Sequence, residues 1–535
     1  MSLPPRATGP ALWLQLAPLL LAAGVFAPAL GGGFIGADFV YIARFSTLPW
    51  ADWPALFTRE WSGGVWGFSL RELRPFSALS MMIDARLHGA DPLGYRLTNL
   101  AAHLLATWLV LRLSWRVSGG QVFAALAAGL VFALHPAHAE PVLWITGRTD
   151  LFATVLALAF WLLADPADGS APAWRLGLAG LALFAGVFTK ELCAFAPMLL
   201  LGYWLLTGPR AGGAEWRRRG VVLLGSALVL GLYWWCRHLA FGREGTGHNL
   251  WTDLPSWERQ AGYLGWLVPV LPFRDHLQWA ATPALGLMHG LFLALVAGTV
   301  LGTFWLVWRR HEAGTRLLFF GAGWYLLSVP PLLAVVYFSP RHLYFPTVGL
   351  AVAAGLTVAA LARTRAAALL ATAGLALWCG LALGAAMRPW RHAAEISQQA
   401  LAAIGRESAG AGPGAVALIA VPETAGDILL WAWSSPQVLG APFLPRPFQP
   451  EQIAEREGNY TRGGEAWRRE QDPLKLVQTA PAAVVLHVGP DGRVSCRRVS
   501  RTELDAQVNT LATAAADGIT SEEWTNWVKA LATGT

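Results

Sequence analysis

Phe132-Ala-Leu-His135-Pro-Ala-His138-Ala-Glu140-Pro-Val-Leu-Trp144-Ile-Thr-Gly147-Arg148-Thr-Asp150 decides how this chain folds. It sets ionisable residues at the junction of two apolar runs, 121–135 and 142–163, each near the length needed to cross about 30 Å of hydrocarbon. Pro136 prevents a regular helix, so the two histidines and Glu140 open a turn between spans. An ionisable side chain inside a bilayer costs several kcal/mol unless it is paired or hydrated, so charges at such a junction are default site candidates.

Working outward, further apolar runs occur at 11–30, 93–113, 175–189, 191–207, 220–240, 284–308, 317–337, 344–362 and 366–387. The expectation is an all-α polytopic membrane protein of about eleven transmembrane helices. Composition agrees, because 55% hydrophobic residues, 14% charged and a mean hydropathy of +0.44 exceed what a soluble globule of 535 residues carries. The excess of 40 Lys+Arg over 33 Asp+Glu suits cytoplasmic loops and calls for no nucleic-acid partner. Cys193, Cys236, Cys379 and Cys496 are widely scattered, so neither a disulfide framework nor a zinc site is expected.

Basic links recur after every second crossing: Arg112 with Arg116, Arg210 with Arg217–Arg219, Arg309, Arg310 and Arg316, then Arg363 and Arg365. Positive-inside reasoning puts these links and the N-terminus in the cytoplasm and the C-terminal tail outside. The weakly apolar stretch 257–272 is then interfacial or re-entrant. The expected division is a transmembrane domain over 1–388, with a Trp-rich first outer loop at 31–92 containing interfacial helices, and an extracytoplasmic domain over 389–535. In that tail, Ala415–Val421 and Ala482–Val488 read as strands and 391–405 and 502–532 as helices, giving a small α/β or α+β domain.

With this topology the outer links and helix ends hold Asp38, Glu72, Arg74, His135, His138, Glu140, Arg148, Asp150, Lys190, Glu191, Arg237, Arg341, His342 and Tyr344. Singly, each could be an interfacial anchor or helix cap. Together, acids, histidines and cations from several links suggest a polar cavity fit for an anionic lipid head group. Asp38 follows a glycine-rich stretch just after the first span and is placed to take a proton from an acceptor hydroxyl. Arginine suits the departing phosphate, because its planar fork pairs phosphate oxygens bidentately.

Arg148 and Asp150 are two apart and do not face each other on a helix, so separate partners are expected. Lys190-Glu191 joins two spans with almost no loop, where an ion pair to a neighbouring helix is the plain account. Asn99 and His103, one turn apart, fit hydrogen bonding between helices.

Arg74-Pro-Phe, Leu87-His-Gly-Ala-Asp-Pro-Leu-Gly-Tyr95-Arg-Leu-Thr-Asn99-Leu-Ala-Ala-His103, Phe132–Glu140 running into Gly147–Asp150, Thr189-Lys190-Glu191 and Ser339-Pro-Arg341-His342-Leu-Tyr344-Phe-Pro346 resemble, in that order, the transmembrane O-mannosyltransferases with tetratricopeptide repeats. The resemblance covers roughly 30–365 and implies a GT-C fold, in which a polyprenyl-phosphate sugar glycosylates an acceptor on the outer face. It maps the presumed base onto Asp38 and the lipid-phosphate contact onto Arg341. Where that family often has two adjacent acids, Ala37 precedes Asp38 and Phe39 follows, and the tail lacks tetratricopeptide repeats. Protein O-mannosylation is therefore not carried over.

The functional expectation is a glycosyltransferase of a bacterial cytoplasmic membrane. It moves a monosaccharide, mannose among the candidates, from a polyprenyl-phosphate donor to a glycan, lipid or protein. A divalent metal is left open, with no ligand assigned. An O-antigen polymerase or ligase, preferring a diphosphate oligosaccharide donor, and a non-catalytic lipid-glycan transporter or binding protein are the alternatives.

Overall fold

The computed structural model describes residues 10–65, 69–166, 172–207, 213–242, 302, 305, 309, 312–328, 339–426, 428–431, 437–455, 473–514 and 520–534. Lipid offers no partner to a backbone amide, so the apolar runs satisfy their hydrogen bonds internally as helices. Among the described residues, five helices are long and apolar enough to cross a bilayer: Leu12–Ala29, Pro92–Val117, Ile145–Ala164, Glu215–Phe241 and Arg365–Ala409. Val122–Leu134 and Pro136–Leu143, bent by 49°, would make a sixth, and the apolar helices Ala173–Val187, Glu191–Thr207 and Pro346–Leu361 are shorter.

The bend falls at His135-Pro136, where the proline ends the helical ladder. The expected span at 284–308 and the stretch 257–272 lie outside the described residues, apart from Gly302 and Trp305. The run 317–337 is described only to Ser328, within the helix Glu312–Ser328.

Where helices cross, small residues let the backbones approach. A Cβ added to Gly355 would stand 2.1 Å from the Ala124 carbonyl oxygen, so the helix Pro346–Leu361 can seat on Val122–Leu134 only with glycine there. Buried polar side chains add specific ties. His103 Nδ1 and the Tyr344 hydroxyl lie 2.7 Å apart, and His103 Nε2 is 3.0 Å from the Ala133 carbonyl.

The loop after the first span folds into short helices, Asp38–Thr47, Trp50–Phe57 and Pro75–His88, of which Trp50–Phe57 is 3-10. Tyr41 stacks on Trp61 at 4.3 Å, whereas Trp50 is exposed under the guanidinium of Arg86. Pro92 at the first helical position and the Asp91 side chain, accepting from Leu93 N at 3.0 Å, start the next span.

The expected boundary at 388 falls inside one helix, Arg365–Ala409, which runs through Pro389 without a break and absorbs the helix expected at 391–405. Beyond it, among the described residues, are six strands: β1 Val416–Ala420, β2 Thr424–Ala425, β3 Ile428–Leu429, β4 Ile453–Glu455, β5 Ala482–Val488 and β6 Val494–Ser500. The main sheet has the order β4-β1-β5-β6, with β1 parallel to both neighbours and β6 antiparallel to β5.

All five β1 residues are buried, as expected of a strand covered on both faces. Leu418 and Val485 pack with Trp524, Val528 and Leu531 of the helix Ser521–Thr533. Ala417, Ile419, Val484 and Leu486 pack with Ile396, Ala400 and Ile404 of the long helix. β1 and β5 fall on the two expected strands, while the expected helix 502–532 is two helices, Arg501–Ala514 and Ser521–Thr533.

The sheet and the first loop share one apolar core. Phe34 and Phe39 meet Phe443 at 5.4 and 4.9 Å between ring centres, and Trp431 donates to Ser397, whose hydroxyl donates to the Phe34 carbonyl. Gly33 N donates to Ala394 O at 2.8 Å. A Cβ on Gly33 would lie 2.8 Å from the backbone nitrogen of Gln398. The glycine run therefore presses directly against the long helix, which also bears the sheet.

Candidate active site

Asp38 opens the helix Asp38–Thr47 and is fully buried. Its Oδ1 accepts from the Thr146 amide at 3.0 Å and the Thr146 hydroxyl at 2.9 Å, and Oδ2 accepts from Ile35 N at 3.3 Å. Burial pushes its pKa up to about 6, opposed by the Thr146 hydroxyl and the charge of Arg96. A carboxylate has about four acceptor positions, so three are filled and one on Oδ2 remains.

Arg96 braces the backbone that carries this acid. It donates to the carbonyls of Leu30, Gly31, Gly32 and Gly33 at 2.5–3.1 Å, and through Nε to Leu143 O at 3.1 Å.

Two strings of charge also form. In the first, Arg341 Nη1 lies 2.8 Å from Glu140 and its Nε 3.9 Å from Asp150, which takes Lys190 Nζ at 2.6 Å. In the second, Arg74 pairs with Glu72 at 2.7 Å and approaches Glu191 at 3.6 Å, and Glu191 lies 4.0 Å from Arg237. Adjacency of Lys190 and Glu191 joins the strings, and His342 is buried against the charges of Arg341, Lys190 and Arg74. Ser339 also donates to Glu140, and the Arg341 guanidinium lies 4.5 Å over the Trp144 ring.

Nine of the expected residues thus gather: Glu72, Arg74, Glu140, Asp150, Lys190, Glu191, Arg237, Arg341 and His342. Four do not join through ion pairs. Arg148 is buried and paired with Asp84 at 2.7 Å, under Tyr95, whose carbonyl it also bonds. His135, His138 and Tyr344 form a buried ring cluster with His103, in which His138 Nε2 lies 2.8 Å from the Thr347 hydroxyl. Among the described residues no group of three or more His, Cys, Asp or Glu could hold a metal ion. In the turn at 135–140 His138 engages Thr347 and Glu140 engages Arg341.

Sequence reading missed Asp84, Arg96, Trp144, Thr146 and Ser339. Asp84 had a signal, as a lone acid in the otherwise apolar run Met81-Met-Ile-Asp84-Ala. Thr146 and Ser339 had none, because a single hydroxyl beside a turn marks nothing by spacing.

With the geometry in place, comparison with known proteins is informative. The structure aligns with ArnT from Cupriavidus metallidurans in the apo state at a TM-score of 0.52 and 16% identity, covering 91% of this chain and 98% of that one. ArnT bound to undecaprenyl phosphate aligns at a TM-score of 0.51 and 15% identity, with the same coverage. The fold is that of ArnT.

In sequence, the chain is similar to protein O-mannosyl-transferase Tmtc2 of Drosophila melanogaster, 34% identical over 172 residues, which is 29% of this chain and 18% of the relative. Tmtc1 of the same organism is 40% identical over 89 residues, 17% of this chain and 10% of the relative. The chain therefore spans a fifth or less of the length of these curated relatives. No family model matches it. Its apolar helices and these similarities identify a multi-pass membrane protein.

Proposed function

We propose that this chain is a membrane glycosyltransferase that moves a monosaccharide from a polyprenyl-phosphate donor to a glycan, lipid or protein acceptor. The observation that carries the reading is the gathering of Arg74, Lys190, Arg237 and Arg341 from four separate segments, with Arg341 seated on Trp144, two residues from the Thr146 that holds the buried acid Asp38. Four cations from separate segments, held in place by four acids, give a positive face preorganised for an anionic head group. The naming of relatives as O-mannosyl-transferases and the solution of ArnT with undecaprenyl phosphate support the donor class. Mannose is the first sugar to test, and the proposed setting is the outer face of a bacterial cytoplasmic membrane, with the C-terminal sheet on that side.

In the proposed reaction Asp38 accepts the proton of the acceptor hydroxyl while its oxygen bonds to the anomeric carbon. The bond from that carbon to the phosphate oxygen breaks, and its electron pair stays on the phosphate, where Arg341 stabilises the charge. Arg74 and Lys190 supply further positive potential and His342 a buried donor. Arg148, His135, His138 and Tyr344 brace the walls.

The test is transfer of label from a polyprenyl-phosphate monosaccharide by the purified protein. Asp38→Asn retaining full activity would refute the base assignment. Turnover of only a diphosphate oligosaccharide would favour a polymerase or ligase, and lipid movement without covalent transfer a transporter.

A further inference from the structure

Trp144, Ile145 and Thr146 are the turn between the base side and the phosphate side of the site. Thr146 gives both its amide and its hydroxyl to one oxygen of Asp38, at 3.0 and 2.9 Å. Two residues earlier, the indole of Trp144 carries the Arg341 guanidinium at 4.5 Å, within the range of a cation–π contact. The Trp144 indole nitrogen would also stand 4.0 Å from a Cβ on Gly36, so the ring faces the glycine run that leads into Asp38.

The turn is held firmly from beneath. Arg96 Nε donates to Leu143 O at 3.1 Å and Arg148 Nε to Ile145 O at 3.3 Å. The Asn99 amide lies 3.2–3.4 Å from the carbonyls of Pro141, Val142, Trp144 and Ile145. Immobilised backbone of this kind suits a part that must keep two reacting groups in register.

We infer that this turn is the positioning element of the site, with Thr146 orienting Asp38 toward the acceptor and Trp144 holding Arg341 flat for the donor phosphate. The inference rests on the transferase reading above. Neither residue touches the reacting atoms. Thr146 acts through a hydrogen bond that favours the charged carboxylate, and Trp144 through the face of its ring.

The two halves predict different kinetic signatures. Thr146→Val keeps the shape but loses the hydroxyl, so kcat should fall by about tenfold or more. The acid limb of its pH profile should move to higher pH, with the donor KM unchanged. Thr146→Ser should restore both. Trp144→Leu should raise the donor KM several-fold, the size of a partly buried cation–π contact. It should leave the acid limb in place, and Trp144→Phe should recover most of the loss.

A parallel measurement needs no turnover: infrared titration of the Asp38 carboxyl, isolated by subtracting Asp38→Asn, together with binding of undecaprenyl phosphate alone. An Asp38 titration that does not move in Thr146→Val overturns the inference, as does a common loss of kcat and donor KM in both variants. A shifted titration and weakened phosphate binding, in a protein that transfers no sugar, would uphold the positioning role and refute the transferase reading.

Discussion

Arg148 pairs with Asp84, 2.7 Å away on the helix Pro75–His88, and not with Asp150 two residues along its own helix. Both side chains are almost fully buried, so the pair fixes the first loop to the spans, and removing one partner leaves an uncompensated charge. Asp84→Ala should lower the unfolding free energy by about 3–5 kcal/mol, and Asp84→Leu with Arg148→Met should recover most of it. Thermal unfolding of the detergent-solubilised protein checks this, and a double variant no more stable than the single one would contradict it.

Gly33 gives a second stability test. A methyl group there meets the backbone nitrogen of Gln398 at 2.8 Å, so Gly33→Ala should cost about 1–3 kcal/mol as overpacking. Gly31→Ala, with nothing within 4 Å of its added carbon, should stay within about 0.5 kcal/mol. Comparable losses at both positions would mean that the run's flexibility matters and not its contact with the long helix.

The buried carboxyl of Asp38 makes both activity and stability depend on pH. Its folded pKa of about 6 lies above the ordinary value of 3.8, so the protonated form is the one that folding favours. Its contribution to stability is complete below the unfolded pKa and is lost as pH rises through about 6. Catalysis needs the ionised form, so transfer should decline below about pH 6. Asp38→Asn should be the more stable protein at neutral pH and should remove this segment of the stability profile, as denaturation across pH 4–8 would reveal.

Arg341 should dominate donor phosphate binding. Charge-assisted hydrogen bonds contribute about 1.5–3 kcal/mol each, so Arg341→Ala should weaken undecaprenyl phosphate binding by about ten- to hundredfold. Arg341→Lys keeps the charge without the planar fork and should fall between. Titration with the lipid in nanodiscs would measure this, and unchanged affinity in Arg341→Ala would move the phosphate to Arg74 or Lys190.

Much of this site was legible because the bilayer makes charge conspicuous. Lys190 and Glu191, lodged between two apolar runs, had to find partners, and Asp150 and Arg74 are those partners. What stayed hidden were relationships without a periodic signal. The 63 residues between Asp84 and Arg148 cannot be bridged by pattern, nor can the hydroxyl bond of Thr146 to Asp38, 108 positions away. The boundary expected at 388 rested on the end of the apolar run 366–387 and the shorter apolar runs beyond it. Helical geometry is indifferent to that change, since an apolar run in lipid and an alanine-rich run against a sheet both favour the same backbone.

The unbroken helix Arg365–Ala409 also serves as a measuring rod. At the rise of an α-helix its 45 residues extend for about 67 Å, more than twice the thickness of the hydrocarbon layer. Counted from Arg365, Ala394, where Gly33 docks, lies about 44 Å along it, a longer reach than the hydrocarbon layer is thick. The glycine run and the acid that follows it are thereby fixed at one height along a single helix that also carries the sheet.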